Sequence, residues 1–183
     1  VRGLGEFLRD RGITDLVDAT HPFAATMAQT VAASVAATPP IRMVKLLRLP
    51  SEYPPGLVVM SVSSLDAAAE LVGQMQKNCL VLLGSRGGQQ FQSLGKIPRE
   101  KLWLHSSLTD SRPPDEVLRQ SRAELLLLRD SGGALNQKWL SSAREAGVTV
   151  VLLTRPVPPN VPTVHSVAAV LHWLGSAAAA FRR

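Results

Sequence analysis

Cysteine is almost absent from the sequence. Cys79 is the single cysteine among 183 residues, so neither an internal disulfide nor a cysteine-based metal cluster can form within this chain. Because Cys79 lies in the apolar run at 79–83, we expect it to be a buried core residue rather than a nucleophile. A chain without disulfides suits a reducing compartment, which predicts a cytoplasmic location.

Aromatic residues, long apolar runs and several well-known fingerprints are scarce or missing as well. Aromatic side chains make up 4% of the residues and no basic run is interleaved with them, which argues against nucleic acid as a partner. No apolar stretch approaches the roughly 20 residues of a membrane span, and no signal peptide is recognisable, so no membrane partner is expected. The sequence also lacks a Gly-x-Ser-x-Gly elbow, a P-loop and a Gly-x-Gly-x-x-Gly fingerprint.

The sequence does contain an excess of positive charge. Lys and Arg number 20 against 14 Asp and Glu, which gives a formal net charge of +6, while hydrophobic residues make up 45% of the chain. This composition is typical of a packed protein whose partner is anionic, such as a phosphate cofactor or a polycarboxylate. The basic residues are scattered, so we expect most of them to lie on the solvated surface.

Short apolar strands alternate with helical patterns along the whole chain, which predicts an α/β fold. Fully apolar strands such as "LVLL" and "LLLL" are typical of parallel sheets that helices cover on both faces. A proline cluster near 45–58 interrupts the alternation, and we expect it to separate a first lobe, 1–50, from a second lobe, 51–183. The predicted strands cover 15–19, 41–49, 57–62, 79–83, 102–105, 124–128 and 148–154, and the predicted helices cover 3–11, 23–37, 64–75, 88–95, 114–121, 134–146 and 167–174.

The junction "DATHPF" follows the first predicted strand and carries an unusual set of polar groups. Thr20 or His21 is expected to cap the next helix, with Pro22 in its first turn. The free N–H groups and the positive end of the helix dipole would then favour an anion, and His21 adds a further donor. The alternative is a purely structural junction in which Asp18 is buried and bonded to the backbone.

Two further strand-to-helix junctions are rich in glycine. Residues 84–88, "GSRGG", follow the strand "LVLL", and residues 129–133, "RDSGG", follow the strand "LLLL". Glycine allows a close approach of the backbone to an anion, which Arg86 and Ser131 could also contact. Because such junctions leave the carboxyl ends of parallel strands, we expect Thr20, His21, Arg86, Ser131 and Gly132 to line one cleft. The alternative for both loops is a tight connection with solvated side chains.

The remaining histidines give no catalytic or metal signal. His105, His165 and His172 show no metal-ligand spacing, so no metal site is expected. No residue stands out as a general acid, and the catalytic residue stays unknown. His21 is the best candidate by residue type, yet we interpret it as a binding residue.

Three stretches resemble the precorrin-6A reductase family of cobalamin biosynthesis. They are "LVDATHPFAA" at 16–25, "SGGALNQKWLSSAREAGVTVVLLTRP" at 131–156 and "HSVAAVLHWL" at 165–174. The resemblance implies two Rossmann-like lobes and hydride transfer from NADPH to a tetrapyrrole (precorrin) substrate. By resemblance, the cofactor-binding residues are Asp18, Thr20, His21, Pro22 and Phe23, and the substrate-binding residues are His21, Gly84, Ser85, Arg86, Ser131, Gly132 and Gly133.

Two departures from the family pattern leave alternatives open. The family opens with a strand and a Gly-Gly-Thr-x-Glu turn that we do not find, so the first lobe is expected to be truncated at its N-terminus. The family's Lys-Asn-Ser-Gly-Gly stretch is replaced here by Arg129-Asp130-Ser131-Gly132-Gly133. The alternatives to a reductase are a non-catalytic or partner-dependent tetrapyrrole-binding module and an unrelated Rossmann-like domain that binds a small anion.

Overall fold

The computed structural model describes residues 2–106 and 110–180. Contacts divide the chain into two units, Val1–Leu49 with Pro156–Arg183, and Pro50–Arg155. The division falls close to residue 50, where the sequence predicts the end of the first lobe. It differs from that prediction in the last part of the chain, which belongs to the first unit because a short C-terminal strand pairs there.

The first unit contains a three-stranded parallel sheet and three helices among its described residues. In chain order these are α1 (Arg2–Asp10), β1 (Asp15–Asp18), α2 (Ala25–Ala36), β2 (Arg42–Leu46), β8 (Thr163–Val164) and α7 (Val167–Ala180). The strand order is β1-β2-β8, and Lys45 of the central strand is in register with Asp18 on one side and Thr163 on the other. Leu8, Val35 and Met43 form the centre of the core of this unit.

The second unit contains a five-stranded sheet in which every pairing is parallel. Its elements are β3 (Val59–Val62), α3 (Leu65–Met75), β4 (Cys79–Leu82), α4 (Gly84–Ser93), a 3-10 turn η1 (Arg99–Lys101), β5 (Leu102–Leu104), α5 (Pro114–Gln120), β6 (Leu125–Arg129), α6 (Gly133–Glu145) and β7 (Thr149–Leu153). The strand order is β3-β7-β6-β4-β5. The expectation of an α/β fold with parallel sheets is confirmed.

The fully apolar strands are buried on both faces of this sheet, as their composition predicts. Leu125 and Leu127 pack with Phe91 and the helices α3 and α4 on one face. Leu126 and Leu128 pack with Trp139 and the helices α5 and α6 on the other face. Successive side chains of a strand point to opposite faces, so an uninterrupted run of leucine fills two cores at once.

The strand order creates a topological switch point between β4 and β6. From β4 the chain continues to β5 on one side, whereas from β6 it continues to β7 on the other side. The connecting helices α4 and α6 accordingly cover opposite faces of the sheet. In open α/β sheets, ligands bind outside the carboxyl ends of the strands at such a point. The glycine-rich stretches at 84–88 and 129–133 both lie there.

Several elements agree closely with the sequence-based expectations, and others begin elsewhere. Cys79 is buried, and burial raises the pKa of its thiol to about 12, which confirms that it is a core residue. Helix α2 begins at Ala25 rather than at residue 23, and α4 begins at Gly84 rather than at 88. The predicted loop at 84–88 is therefore wrong, because these residues form the first turns of a helix.

Candidate functional site

At the end of β1 the side chains form a buried network of charge. The Nζ atom of Lys45 lies 2.7 Å from Oδ2 of Asp18, and the two side chains are 2% and 0% exposed. The same ammonium donates to Oγ1 of Thr20 at 3.3 Å, and the backbone N–H of Thr20 donates to Oδ1 of Asp18 at 2.8 Å. Asp18 thus fixes both the neighbouring strand and the first residues of the loop that follows it.

These contacts decide the charge of Asp18. Burial raises the pKa of this carboxyl, but hydrogen bonds from Lys45 and Thr20 outweigh burial and hold the pKa below its ordinary value of 3.8. The carboxylate is therefore ionised at neutral pH and its charge is compensated by Lys45. An anion that approaches this loop meets a neutral pair rather than an uncompensated acid.

The rest of the loop is more open. His21 is exposed, while Pro22 and Phe23 are half-buried. The backbone N–H of Phe23 donates to Nδ1 of His21 at 3.2 Å, and the two rings lie 6.0 Å apart. The expected helix cap is wrong, because Ala24 occupies the N-cap position of α2 without a side-chain cap. Pro22 also lies before the helix, in a turn, rather than in its first turn.

After β4 the chain enters α4 directly through glycine. Gly84 has a φ of +70°, a left-handed conformation that favours glycine. Gly84, Ser85 and Arg86 are exposed at the first turn, whereas Gly87 is buried. A Cβ atom on Gly87 would lie 2.8 Å from Nη2 of Arg129, the last residue of β6. Glycine at this position therefore allows α4 to pack against a guanidinium group from the neighbouring strand.

After β6 the turn contains two glycines with positive φ, 65° for Gly132 and 81° for Gly133. The backbone N–H of Ser131 donates to the carbonyl of Arg129 at 2.7 Å. Asn136 of α6 donates from Nδ2 to the same carbonyl at 2.8 Å. The turn is thus closed by bonds to the end of β6, and it leads directly into α6, whose N-terminus has free N–H groups.

The acid in this turn, Asp130, accepts a hydrogen bond and is paired with a cation. Asp130 is 8% exposed, and its Oδ1 accepts from the backbone N–H of Ser51 at 3.0 Å. The Nε atom of Arg155 lies 3.4 Å from its Oδ2 and donates to its backbone carbonyl at 2.7 Å. The substitution of Asp130 for the asparagine of the family pattern is therefore matched by a cation from beyond β7.

The structure brings two of the three predicted junctions together. Residues 84–88 and 129–133 leave the neighbouring strands β4 and β6 at the same edge of one sheet. Residues 18–23 lie at the carboxyl edge of the sheet in the other unit, and their place in one shared cleft stays a prediction. Sequence reasoning missed Lys45 and Arg155, and it gave Arg129, in the predicted junction at 129–133, no role of its own. Their signal was present, since each is a cation inside or just beyond an apolar strand.

Two of the other histidines, His165 and His105, have structural contacts. His165 Nδ1 lies 2.8 Å from the carbonyl oxygen of Leu47, and His105 packs against the ring of Trp139. Within residues 2–106 and 110–180, no group of three His, Cys, Asp or Glu side chains could hold a metal ion. None of the described helices is both long and apolar enough to cross a membrane.

Comparison with known proteins decides the family. The profile "Precorrin-6x reductase CbiJ/CobK" matches residues 1–109 and 97–175. The chain belongs to this family. It is 32% identical over 191 residues to the precorrin-6A reductase of Rhodococcus erythropolis, covering 95% of this chain and 76% of the relative. For the precorrin-6A reductase of Mycobacterium tuberculosis (strain H37Rv), the identity is 30%, with 95% and 77% covered.

A solved structure supports the same assignment. The structure described as CobK precorrin-6A reductase superposes with a TM-score of 0.81 at 25% identity, covering 96% of this chain and 78% of that chain. The CbiJ/CobK family consists of oxidoreductases of cobalamin biosynthesis. The resemblance of the "DATHPF" and "SGG" stretches is thus confirmed at the level of the family, and the two alternatives to a reductase are not favoured.

Proposed function

We propose that this protein reduces a ring double bond of a precorrin macrocycle, precorrin-6A, with NADPH as the hydride donor. The observation that carries the proposal is the family match, which extends over nearly the whole chain. The names of the relatives supply the substrate, and the parallel sheets with a switch point supply a fold suited to a nucleotide or a large anion.

The loop at the end of β1 is assigned to the cofactor, through Asp18, Thr20, His21, Pro22 and Phe23. Its donor set fits a phosphorylated dinucleotide, because the loop precedes α2 and carries the exposed His21. The pairing of Asp18 with Lys45 removes the repulsion that a free carboxylate would exert on a phosphate. NADPH supplies a hydride when it is bound, and this loop serves to hold and orient it.

The switch-point edge of the second unit is assigned to the substrate. A precorrin carries acetate and propionate carboxylates, which suit backbone N–H groups and guanidinium groups. Exposed donors occur at Gly84, Ser85 and Arg86. The turn at 131–133 adds the N-terminus of α6. Because the acid of this turn, Asp130, is paired with Arg155, this edge is also free of an uncompensated carboxylate among the contacts described.

His21 is assigned to binding rather than to proton transfer. It is exposed, and its Nδ1 accepts a hydrogen bond from the backbone N–H of Phe23. That bond uses Nδ1 as the acceptor, so in the neutral ring Nε2 carries the proton and is the hydrogen-bond donor. Water then supplies the proton that completes the reduction, and His21 could contact substrate as well as cofactor.

The test is an anaerobic assay with the purified protein, NADPH and precorrin-6A, followed by the loss of the NADPH absorbance. We expect NADPH to be consumed only when both are present. Binding of tetrapyrroles without consumption would instead indicate a non-catalytic module. Binding of inorganic phosphate without tetrapyrroles would indicate an unrelated anion-binding domain.

The role of His21 is tested with His21→Ala beside Gln29→Ala, a control at an exposed position of α2. We expect the His21 variant to raise the KM for NADPH while the control leaves it unchanged. A fall of the rate of the chemical step by about several hundredfold at unchanged binding would make His21 a proton donor, since general acids contribute on that scale.

The buried single cysteine is in keeping with a cytoplasmic location, which we propose as well.

A further inference from the structure

The chain passes from one unit to the other twice, after Leu49 and after Arg155. The connecting segments are residues 47–58, between β2 and β3, and residues 154–162, between β7 and β8. Each contributes one residue of the second unit that contacts Asp130. Ser51, in the first segment, donates its backbone N–H to Oδ1 of Asp130 at 3.0 Å. Arg155, in the second segment, donates from Nε to the Asp130 carbonyl at 2.7 Å and lies 3.4 Å from Oδ2. Asp130 therefore joins two segments that are about a hundred residues apart in the sequence.

Asp130 is itself held firmly by the sheet. Its backbone N–H donates to the carbonyl of Leu153, the last residue of β7, at 2.9 Å. A second bond reinforces the first segment, because Nδ2 of Asn136 donates to Oγ of Ser51 at 3.2 Å. Asp130 is buried, so an unmatched charge here would be costly, and Arg155 supplies the match.

The residue that follows Asp130 begins the turn assigned to the substrate. The turn at 131–133 contains Gly132 and Gly133, whose backbone conformations are open to few other residues. A ligand that reorders this turn would move the adjoining Asp130 together with its bonds to Ser51 and Arg155. Coupling between two such positions is reciprocal, so placing the segments also biases the turn.

We propose that Asp130 is a positioning residue that ties both connecting segments to the turn at 131–133, so that ligand occupancy of the turn and placement of Ser51 and Arg155 are coupled. The identity of the ligand rests on the proposed function. The tie itself rests on the contacts of Asp130, so it can be tested with a stable probe as well as with precorrin-6A.

Tyr53 is a built-in reporter for this tie, because it is the only tyrosine of the chain. Burial raises the pKa of its phenol, the charge of Asp130 raises it further, and Arg155 lowers it. The absorbance of the phenolate therefore reports how close the first segment lies to Asp130. Loss of the Asp130 charge should lower the pKa of Tyr53, and displacement of the segment should change it as well.

The experiment compares the full chain with Asp130→Asn, which keeps an acceptor for Ser51 but loses the charge that matches Arg155. Asp115→Asn, at an exposed acid of α5, is the matched control. The phenolate of Tyr53 is titrated with and without uroporphyrin, a stable tetrapyrrole with acetate and propionate side chains. We expect uroporphyrin to shift the titration in the parent and in Asp115→Asn, and to shift it much less in Asp130→Asn.

The reductase assay provides the second readout. Asp130→Asn should raise the KM for precorrin-6A about fivefold, the lower end of coupling between linked sites, with a smaller change in kcat. Asp130→Asn/Arg155→Gln, which removes both charges, should recover part of the binding. If uroporphyrin shifts Tyr53 equally in the parent and in Asp130→Asn, and the KM is unchanged, the tie is overturned.

The two proposals fail in different ways. An uroporphyrin-dependent shift of Tyr53 that Asp130→Asn abolishes, in a protein that does not consume NADPH, would sustain the tie and contradict the proposed reaction. If the protein is an active reductase, and Asp130→Asn changes neither the uroporphyrin-dependent shift of the Tyr53 titration nor the KM for precorrin-6A, the proposed reaction is supported and the proposed coupling through Asp130 is contradicted. Circular dichroism of each variant checks that the fold is retained, and Asp130→Glu, which keeps the charge, gives a second test should Asp130→Asn not fold.

Discussion

At the carboxyl edge of each sheet an acid is paired with a cation, but the two pairs differ in position and burial. In the first unit the acid at the end of β1, Asp18, is paired with Lys45 of the neighbouring strand, and both side chains are almost fully buried. In the second unit the acid after β6, Asp130, is paired with Arg155 beyond the neighbouring strand, and these side chains are 11% and 13% exposed. Each edge thus carries a compensated acid beside a loop that we propose binds an anionic ligand.

The difference lies in what shapes the loop. The loop after β1 takes its form from charged side chains, because Asp18 and Lys45 both bond to Thr20. The edge after β4 and β6 takes its form from glycine, which lets α4 approach Arg129 and lets the turn at 132–133 adopt positive φ. The first edge should therefore be sensitive to loss of charge, and the second edge should be sensitive to added volume.

The largest effect is expected from Lys45→Met. This change leaves the Asp18 carboxylate buried without its partner and should lower the free energy of unfolding by about 3–5 kcal/mol. The measurement is urea unfolding with hydrogen exchange of the β2 amides as the readout for the first unit. The exposed pair of Lys96 and Glu70 gives the control, since solvent screens this pair and Lys96→Met should cost far less stability than Lys45→Met.

A double variant sharpens this prediction. Asp18→Asn/Lys45→Met removes both charges and should recover part of the lost stability, because no uncompensated ion remains. Equal losses from Lys45→Met and Lys96→Met would mean that the buried pair does not hold the edge of the first unit together.

The second prediction concerns two adjacent glycines of α4. Gly87→Ala places a Cβ 2.8 Å from Nη2 of Arg129 and 2.9 Å from Cβ of Leu83, so it should cost about 1–3 kcal/mol of stability and weaken uroporphyrin binding. Gly88→Ala places its Cβ 3.6 Å from Leu104, an ordinary contact, and should stabilise the helix by about 0.5–1 kcal/mol. Thermal unfolding of both variants tests the opposite signs, and the same sign for both would contradict the packing argument.

These glycines also show which features of the fold could not be predicted from the sequence. The apolar runs at 79–83 and 124–128 predict buried parallel strands because their pattern is local. Glycine at 84–88 predicts a loop by the same local logic, yet Gly87 is helical and is required by its contact with Arg129. That contact joins a residue of α4 to the last residue of β6, so no window of sequence around residue 87 contains it.

The loop after β1 likewise depends on a contact that the local sequence does not contain. The acid and the hydroxyl of "DATHPF" stand out in the sequence, but their partner Lys45 lies 27 residues later in an apolar strand. Only the register of β1 with β2, which opposes Asp18 and Lys45, brings them together. The short strand β8 was missed for a related reason, since two residues that follow a proline carry no periodicity and form a strand only by pairing with β2.

A smaller effect is expected at Arg86. Its side chain is exposed at the first turn of α4, and Arg86→Ala should cost about 1–2 kcal/mol of tetrapyrrole affinity, as for the loss of one charge-assisted hydrogen bond. Stability should not change. Uroporphyrin titration at rising salt is the measurement, and the parent should lose affinity as the attraction is screened.

Arg99→Ala is the matched control for Arg86→Ala. Arg99 is an exposed arginine of the same unit, in η1, so the change in net charge is identical. If both variants lose the same affinity, the attraction comes from the net charge of the protein and Arg86 makes no specific contact.

The smallest expected effect is a difference between the two units in how their stability depends on pH. Burial lowers the pKa of His105 below its ordinary value of 6.5, while Asp110 raises it and Arg112 lowers it. His105 Nδ1 lies 3.4 Å from Oδ2 of Asp110, and its ring meets that of Trp139 edge-on. Because the folded state binds the proton less readily than the unfolded state, stability from neutral His105 is complete above pH 6.5 and falls as the pH drops below that value.

Asp18 also loses its contribution on protonation, but its pKa lies below 3.8 in the folded state, so that contribution persists until the pH falls below about 4. Between these limits the second unit should lose protection while the first unit keeps it. Hydrogen exchange of β6 and β2 amides at about pH 7.5 and about pH 5, corrected for intrinsic rates, measures the difference. His105→Gln should remove the loss in the second unit. If β2 loses as much protection as β6, or if His105→Gln changes nothing, His105 is not the group that distinguishes the two units.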